Sequence, residues 1–238
     1  MESSCNLLVV LDAGHGGQDF GACFMGRCEK DDNLRLALET QKQLSFLGIP
    51  ALTTRASDTF APPAIRAEIA NKTDADLFIS LHRASSPKPN EDAAGIESFV
   101  YLTSPLETSG RAAQLILSEL ADAGVQRIIG VSRGNFGVLR RAAMPAILLD
   151  MGFINNEIDN RLFDINITAY AGAIARGAAA YFGLLTGAAF LGGGQDCEGN
   201  GTGARAPEIK TLLCAAGQDT WRALRQKARC PFALGYTV

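Results

Sequence analysis

Five consecutive apolar residues, Leu7-Leu8-Val9-Val10-Leu11, constrain this chain more than any other stretch. A strand with one wet face alternates apolar and polar residues. An unbroken apolar run instead fits a strand covered on both faces, as in a parallel sheet between helical layers. The segments after it agree with that reading. Asn33 to Phe46 carries Leu34, Ala37, Leu38, Gln41 and Leu44 at helical spacing, and Gly48 stops it. Further strands are expected at Pro50 to Thr54, Leu77 to Leu81, Ile96 to Leu102, Phe136 to Leu139 and Ala146 to Leu149. Further helices are expected at Pro63 to Asn71, Ser109 to Ala121, Asn156 to Phe163 and Thr168 to Tyr181. The alternation predicts an α/β fold: a single three-layer domain over residues 1–182, with a mostly parallel twisted sheet and helices on both faces.

The pattern is lost after Phe182. Residues 183–205 are glycine-rich and read as a linker, and residues 206–238 as a short tail holding the single tryptophan, Trp221. A formal net charge of −3 creates no broad positive field, so nucleic acid is not an expected partner. Six cysteines without a CxxC pair argue against a zinc ribbon and force no disulfide framework. The opening MESSCNLLVVLD lacks the basic region of an export signal, and Leu184 to Leu191 is too short and glycine-rich to span a bilayer. No membrane insertion is expected, and the chain is read as a monomer.

Behind the first strand stands the loop LDAGHGGQDFG, residues 11–21, with one of only two histidines in the chain. Glycine clusters after a strand often cradle phosphate. Here the third glycine of a dinucleotide fingerprint is replaced by Asp19, and no Gly-Lys-Ser/Thr triplet is present. A second decoy is Gly130-Val131-Ser132-Arg133-Gly134, which matches the nucleophile elbow of serine hydrolases. In that fold the catalytic histidine comes after the serine, whereas His15 and His82 both precede it. The segment is expected to be a loop.

There remains a constellation at strand ends: His15 after the first strand, His82 at the end of the third, and Asp150 after Leu149. Parallel neighbours would gather all three at the carboxyl edge, where open α/β sheets carry their sites. Two imidazoles and a carboxylate are a frequent catalytic zinc set, and such a metal activates water at ordinary pH. Hydrogen-bonded structural histidines are the competing explanation of the same pattern.

A series of motifs runs through the domain in order: LDAGHGGQDFGA, Glu29-Lys30 with Asn33-Leu34, TTRASD, Arg66 with Ala70-Asn71, Ser80-Leu81-His82, Gly95-Ile96-Glu97, and VLRRAAMPAILLDMGFINN. On these motifs, from about Leu7 to Phe182, the chain resembles the zinc-dependent N-acetylmuramoyl-L-alanine amidases of the bacterial autolysin and sporulation or germination type. The resemblance implies a Zn2+ cofactor with ligands at His15, Glu29 and His82. It also implies a peptidoglycan substrate, cleaved between N-acetylmuramic acid and L-alanine on the extracellular or periplasmic side of the membrane. The family's catalytic glutamate falls on Asp150, which would act as general base and then as proton donor to the leaving amine. Aspartate there is a departure, one methylene short. Ala84 is another, standing where the family usually has asparagine. These departures leave a second reading open, a weakened or inactive peptidoglycan-binding or regulatory protein on the amidase fold. Arg55, Asp58 and Arg66 are expected to form an ion-paired brace. Arg140 and Arg141 are either a contact for the acidic stem peptide or a solvated pair. In the tail, Gly217 to Leu224 resembles the opening of a LysM peptidoglycan-binding module, with an amphipathic terminal helix as the alternative.

Overall fold

A computed structural model describes residues 7–87 and 93–184; all but the first two residues of the expected linker, and the whole tail, lie outside the described residues. β1 (Val9–Ala13) leads through the glycine loop into a small hairpin, β2 (Cys23–Phe24) and β3 (Arg27–Cys28), and then into α1 (Glu29–Phe46). Next come β4 (Ala51–Thr53), α2 (Pro63–Lys72), β5 (Leu77–Ala84) and β6 (Ile96–Tyr101). α3 (Arg111–Asp122), β7 (Ile128–Gly134), α4 (Gly137–Arg141), β8 (Ala146–Phe153) and α5 (Glu157–Tyr181) complete the order.

The main sheet has the order β4-β1-β5-β8-β6-β7. β4, β1, β5 and β8 are parallel neighbours, while β6 pairs antiparallel with β8 and parallel with β7. The mostly parallel α/β sheet expected from Leu7 to Leu11 is therefore present, and β1 is buried along its whole length. On one face Val9, Leu11, Ile79, Ile147 and Leu149 form the main core with Leu36 and Leu44 of α1, Ile116 of α3, and Phe163 and Ile174 of α5. On the other, Val10, Phe78, Ala146 and Leu148 pack with Ala67 and Ala70 of α2 and Val138 and Leu139 of α4. Those two short helices meet the strands towards their N-terminal ends. Further along this second face the side chains change to Asp12, Ser80, His82, Asp150 and Glu97, and the site begins there.

Three expectations are corrected. Phe136 to Leu139 is not a strand: Gly137–Arg141 is a helical turn that buries Val138 and Leu139, and the Phe136 ring sits 5.1 Å from that of Phe99. The strand of this region is β7, which takes in the Gly130 to Gly134 segment read as a loop, and as the sheet edge it is half exposed with no run of buried residues to betray it. The two helices expected at 156–163 and 168–181 are one 25-residue helix, α5. Exposed Ile165 interrupts its apolar stripe but not its backbone. Asn156 caps its start, its side chain accepting from the Ile158 and Asp159 N–H groups, which satisfies otherwise orphan donors.

The expected Arg55–Asp58–Arg66 brace exists with different partners. The buried Arg66 guanidinium pairs with Asp12 of β1, which also accepts from Ser80 and Thr54. Arg55 donates to the backbone carbonyls of Ala13, Gly14 and Lys30, and Asp58 pairs with Lys30. Together these tie the glycine loop to the sheet and to α1. Asp12→Ala would leave Arg66 as an uncompensated buried charge. The expected cost is about 3–5 kcal/mol, a fall on the order of 10 °C in the thermal midpoint measured by circular dichroism.

Candidate active site

The two histidines reach the same place from neighbouring strands. His82 lies on β5 with its side chain on the second face, and His15 is the second residue after β1, which pairs with β5. His15 takes φ +62°, a left-handed conformation a non-glycine residue adopts only where surrounding structure holds it. That twist turns its ring towards the end of β5, 5.1 Å centroid to centroid from His82. Glu29, first residue of α1, fills the gap. Its Oε1 lies 2.8 Å from His82 Nδ1 and 3.2 Å from His15 Nε2. One ligand atom from each of the three residues lies within 4.8 Å of the other two. For comparison, a tetrahedral zinc with bonds of about 2.0–2.1 Å spaces its donors roughly 3.3 Å apart.

The surroundings support a metal here. A Cβ on Gly14 would stand 2.3 Å from His82 Cε1, and one on Gly21 would stand 2.6 Å from Glu29 Oε2 and 2.7 Å from His15 Cδ2. Two glycines of the loop thus make room for the three side chains. His82 Nε2 is buried with no hydrogen-bond partner, which a purely structural histidine would satisfy. His15 Nδ1 lies 2.8 Å from Asp19 Oδ2, the carboxylate–histidine arrangement that orients metal-binding imidazoles. Glu29 is held from behind by the Ala22 and Arg83 N–H groups and by Asn33 Nδ2. Asp19 was legible in principle, four residues after His15 in the same loop. Asn33 stood out only as part of a motif.

The charges of this cluster act strongly on one another. Burial alone would raise the Glu29 carboxyl, but hydrogen bonds to the two imidazoles outweigh it and hold Glu29 far below the usual carboxylate range. Burial would lower His15, yet Glu29 and Asp19 carry it above its ordinary value. The site favours positive charge beside Glu29, whether as protons or as a metal ion.

Asp150 stands next to this group, within β8 rather than past its end, because the strand continues to Phe153. Its Cα is in register with His82 on one side and with Glu97 of β6 on the other, so all three side chains share a face. Burial pushes the Asp150 carboxyl up to about 6; His82 opposes the shift while Glu29 and Glu97 add to it. A carboxylate poised there can exchange protons near neutral pH.

Other positions are resolved too. Arg83 does not replace the polar group absent at Ala84: its side chain points to the other face, pairing with Asp32 at 2.6 Å beneath the Phe163 ring. Cys28, beside Glu29, is bonded to Cys23 and is no thiolate ligand. Arg141 lies by Asn71, which donates to its carbonyl near the end of α2 that leads into the N-terminus of β5. That position is remote from the metal cluster and gives no support to a stem-peptide contact.

An open α/β sheet with a His/Glu/His cluster that could hold a metal ion, and a neighbouring acid, is an arrangement suited to metal-assisted hydrolysis. The chain belongs to the N-acetylmuramoyl-L-alanine amidase family, whose model matches residues 9–180. Members of that family are in general metal-dependent. The uncharacterized protein YqiI of Bacillus subtilis is 35% identical over 151 residues, covering 63% of this chain and 72% of YqiI. The N-acetylmuramoyl-L-alanine amidase LytC of the same organism is 34% identical over 153 residues, and there the chain spans only 30% of the relative's length. Among solved structures, the amidase AmiC2 of Nostoc punctiforme superposes with a TM-score of 0.70 at 31% identity, covering 76% of this chain and 99% of AmiC2.

Proposed function

We propose that this chain hydrolyses the amide bond between N-acetylmuramic acid and the L-alanine of the peptidoglycan stem peptide, with a zinc ion held by His15, Glu29 and His82. The observation that carries this is the convergence of those side chains, with Glu29 Oε1 between His82 Nδ1 and His15 Nε2, in a chain of the amidase family. When bound, zinc supplies a Lewis acid for the amide carbonyl and for the attacking water. Asp19 orients the His15 ring, and Gly14 and Gly21 keep space for the ligands. Asp150 takes the proton from water and passes it to the departing alanine nitrogen, so that the amide C–N bond breaks with a neutral amine leaving.

The substrate places this activity outside the cytoplasmic membrane. The Cys23–Cys28 disulfide fits such an oxidising setting, and no helix among the described residues is long and apolar enough to cross a membrane. We further propose that residues 1–182 form the catalytic unit, with 183–205 a linker and 206–238 a LysM-like wall-binding segment. A second reading rests on one specific feature, the short acid at Asp150: a wall-binding protein with weakened catalysis. Incubating the purified chain with peptidoglycan, while measuring bound zinc and newly exposed L-alanine amino termini, decides between them. Zinc-dependent release is expected. Stoichiometric zinc with no release would overturn the amidase reading in favour of the binding one.

A further inference from the structure

Glu97 is a carboxylate without an assigned task, and its position is unusual. In the antiparallel pair of β6 and β8 it lies directly opposite Asp150, on the same face. Like charges opposite one another across two strands destabilise a sheet, so stability alone argues against this pair. Glu97 is nonetheless held in place: Ser132 Oγ of β7 donates to its Oε1 at 2.5 Å. This is the serine of the Gly-x-Ser-x-Gly decoy, on a strand that also sets Gly130 opposite Glu97, with open space where a Cβ would stand. Asp150 has no such anchor. Among the described residues none donates a hydrogen bond to its carboxylate, and two nearby acids, Glu97 and Glu29, repel it. A cation held by Glu29 and the two histidines would offset the charge of Glu29 and draw Asp150 in the same direction as Glu97 pushes it.

We propose that Glu97, fixed by Ser132, is a positioning residue that directs the Asp150 carboxylate away from β6 and towards His82 and the reacting atoms. The inference rests on Asp150 being the proton-transfer group. A short side chain needs such help because its carboxylate has little reach: a misplacement of about 1 Å can cost on the order of a hundredfold in rate. The charge of Glu97 closes the unproductive side, and Ser132 prevents Glu97 from moving aside. Glu97 itself neither gains nor loses a proton over the cycle. The proton passes from water to Asp150 and on to the amine.

The test is a set of four variants in the zinc-loaded protein, assayed by steady-state kinetics on soluble muramyl peptide: Glu97→Ala, Glu97→Gln, Asp150→Glu, and Glu97→Ala combined with Asp150→Glu. Glu97→Ala is expected to lower kcat by about 10–100-fold with KM, zinc content and thermal midpoint little changed. Glu97→Gln keeps the shape and an acceptor for Ser132 but not the charge, and is expected to lose rate as Glu97→Ala does. In the Asp150→Glu background the longer acid reaches unaided, so removing Glu97 is expected to cost less than about threefold. Equal losses in both backgrounds, a loss confined to KM or zinc content, or full activity of Glu97→Ala would each overturn the proposal. Asp150→Asn separates the two levels. If it remains active, the reading of Asp150 falls; if it is inactive while the Glu97 variants turn over normally, only the role of Glu97 falls.

Discussion

Replacing Glu29 by glutamine is expected to abolish zinc retention and, with it, all amidase activity. Glu29 is the one anion between two imidazoles, and an amide in its place accepts poorly from both and leaves the metal charge uncompensated. The loss should exceed the roughly 10–100-fold that removing an outer partner costs, and Asp19→Asn supplies that comparison within the same site. Zinc content after dialysis against a graded chelator measures both. The pH dependence carries a further check. Because Glu29 and Asp19 raise His15 above its ordinary value of 6.5, protons compete with the metal, and affinity should fall as pH drops through that raised value. Metal-free and loaded protein should respond in opposite senses. In the metal-free chain, protonated His15 contributes stability that is fully present below about pH 6.5 and lost as pH rises through its folded value. In the loaded chain the same rise in pH strengthens zinc binding and so stabilises the fold. Thermal midpoints of the two forms should therefore diverge between about pH 6 and about pH 8. Parallel curves would mean that His15 does not bind the metal.

How much of this was legible in the sequence depended on how far each residue stood from a repeating pattern. Leu7 to Leu11 announced a doubly covered strand because burial on both faces leaves a continuous apolar run, and His15, His82 and Asp150 were found from their places beyond such runs. Glu29 was different. Nothing in its spacing separates a ligand from an acid at a helix start, where the macrodipole favours negative charge anyway, and only the family resemblance singled it out. Glu97 illustrates the limit from the other side. Its neighbours Asp150 and Ser132 come from β8 and β7, and their register is set by an antiparallel insertion into a parallel sheet that no local pattern records. β7 itself was read as a loop because an edge strand with glycines at 130 and 134 has no buried periodicity to show. The hairpin disulfide escaped for a related reason, since Cys23 and Cys28 face each other only once residues 23–28 fold back.

Asp150→Asn is expected to lose about two to four orders of magnitude in turnover while making the metal-free protein more stable at neutral pH. The two effects share one cause. Burial and the nearby acids raise the folded carboxyl to about 6 from an ordinary 3.8, so the folded state binds this proton more tightly than the unfolded one. Stability therefore falls as pH rises between those two values, by an upper bound of about 3 kcal/mol that is fully lost by about pH 7. Asparagine carries no such charge. Its advantage should be largest near neutral pH and should vanish near about pH 4, which denaturant unfolding of the two proteins at each pH would show. A residue kept for structure gives the opposite result, with stability lost on replacement and activity falling with it. Asp150→Glu is the complementary change, because it restores the methylene while keeping the buried charge. If reach limits the natural enzyme, its rate should rise, by up to about a hundredfold, with no gain in stability. If Glu97 already aims the shorter acid well, the rise should be small in the natural background and large once Glu97 is alanine, so the gain from one methylene measures how completely β6 has compensated for its loss.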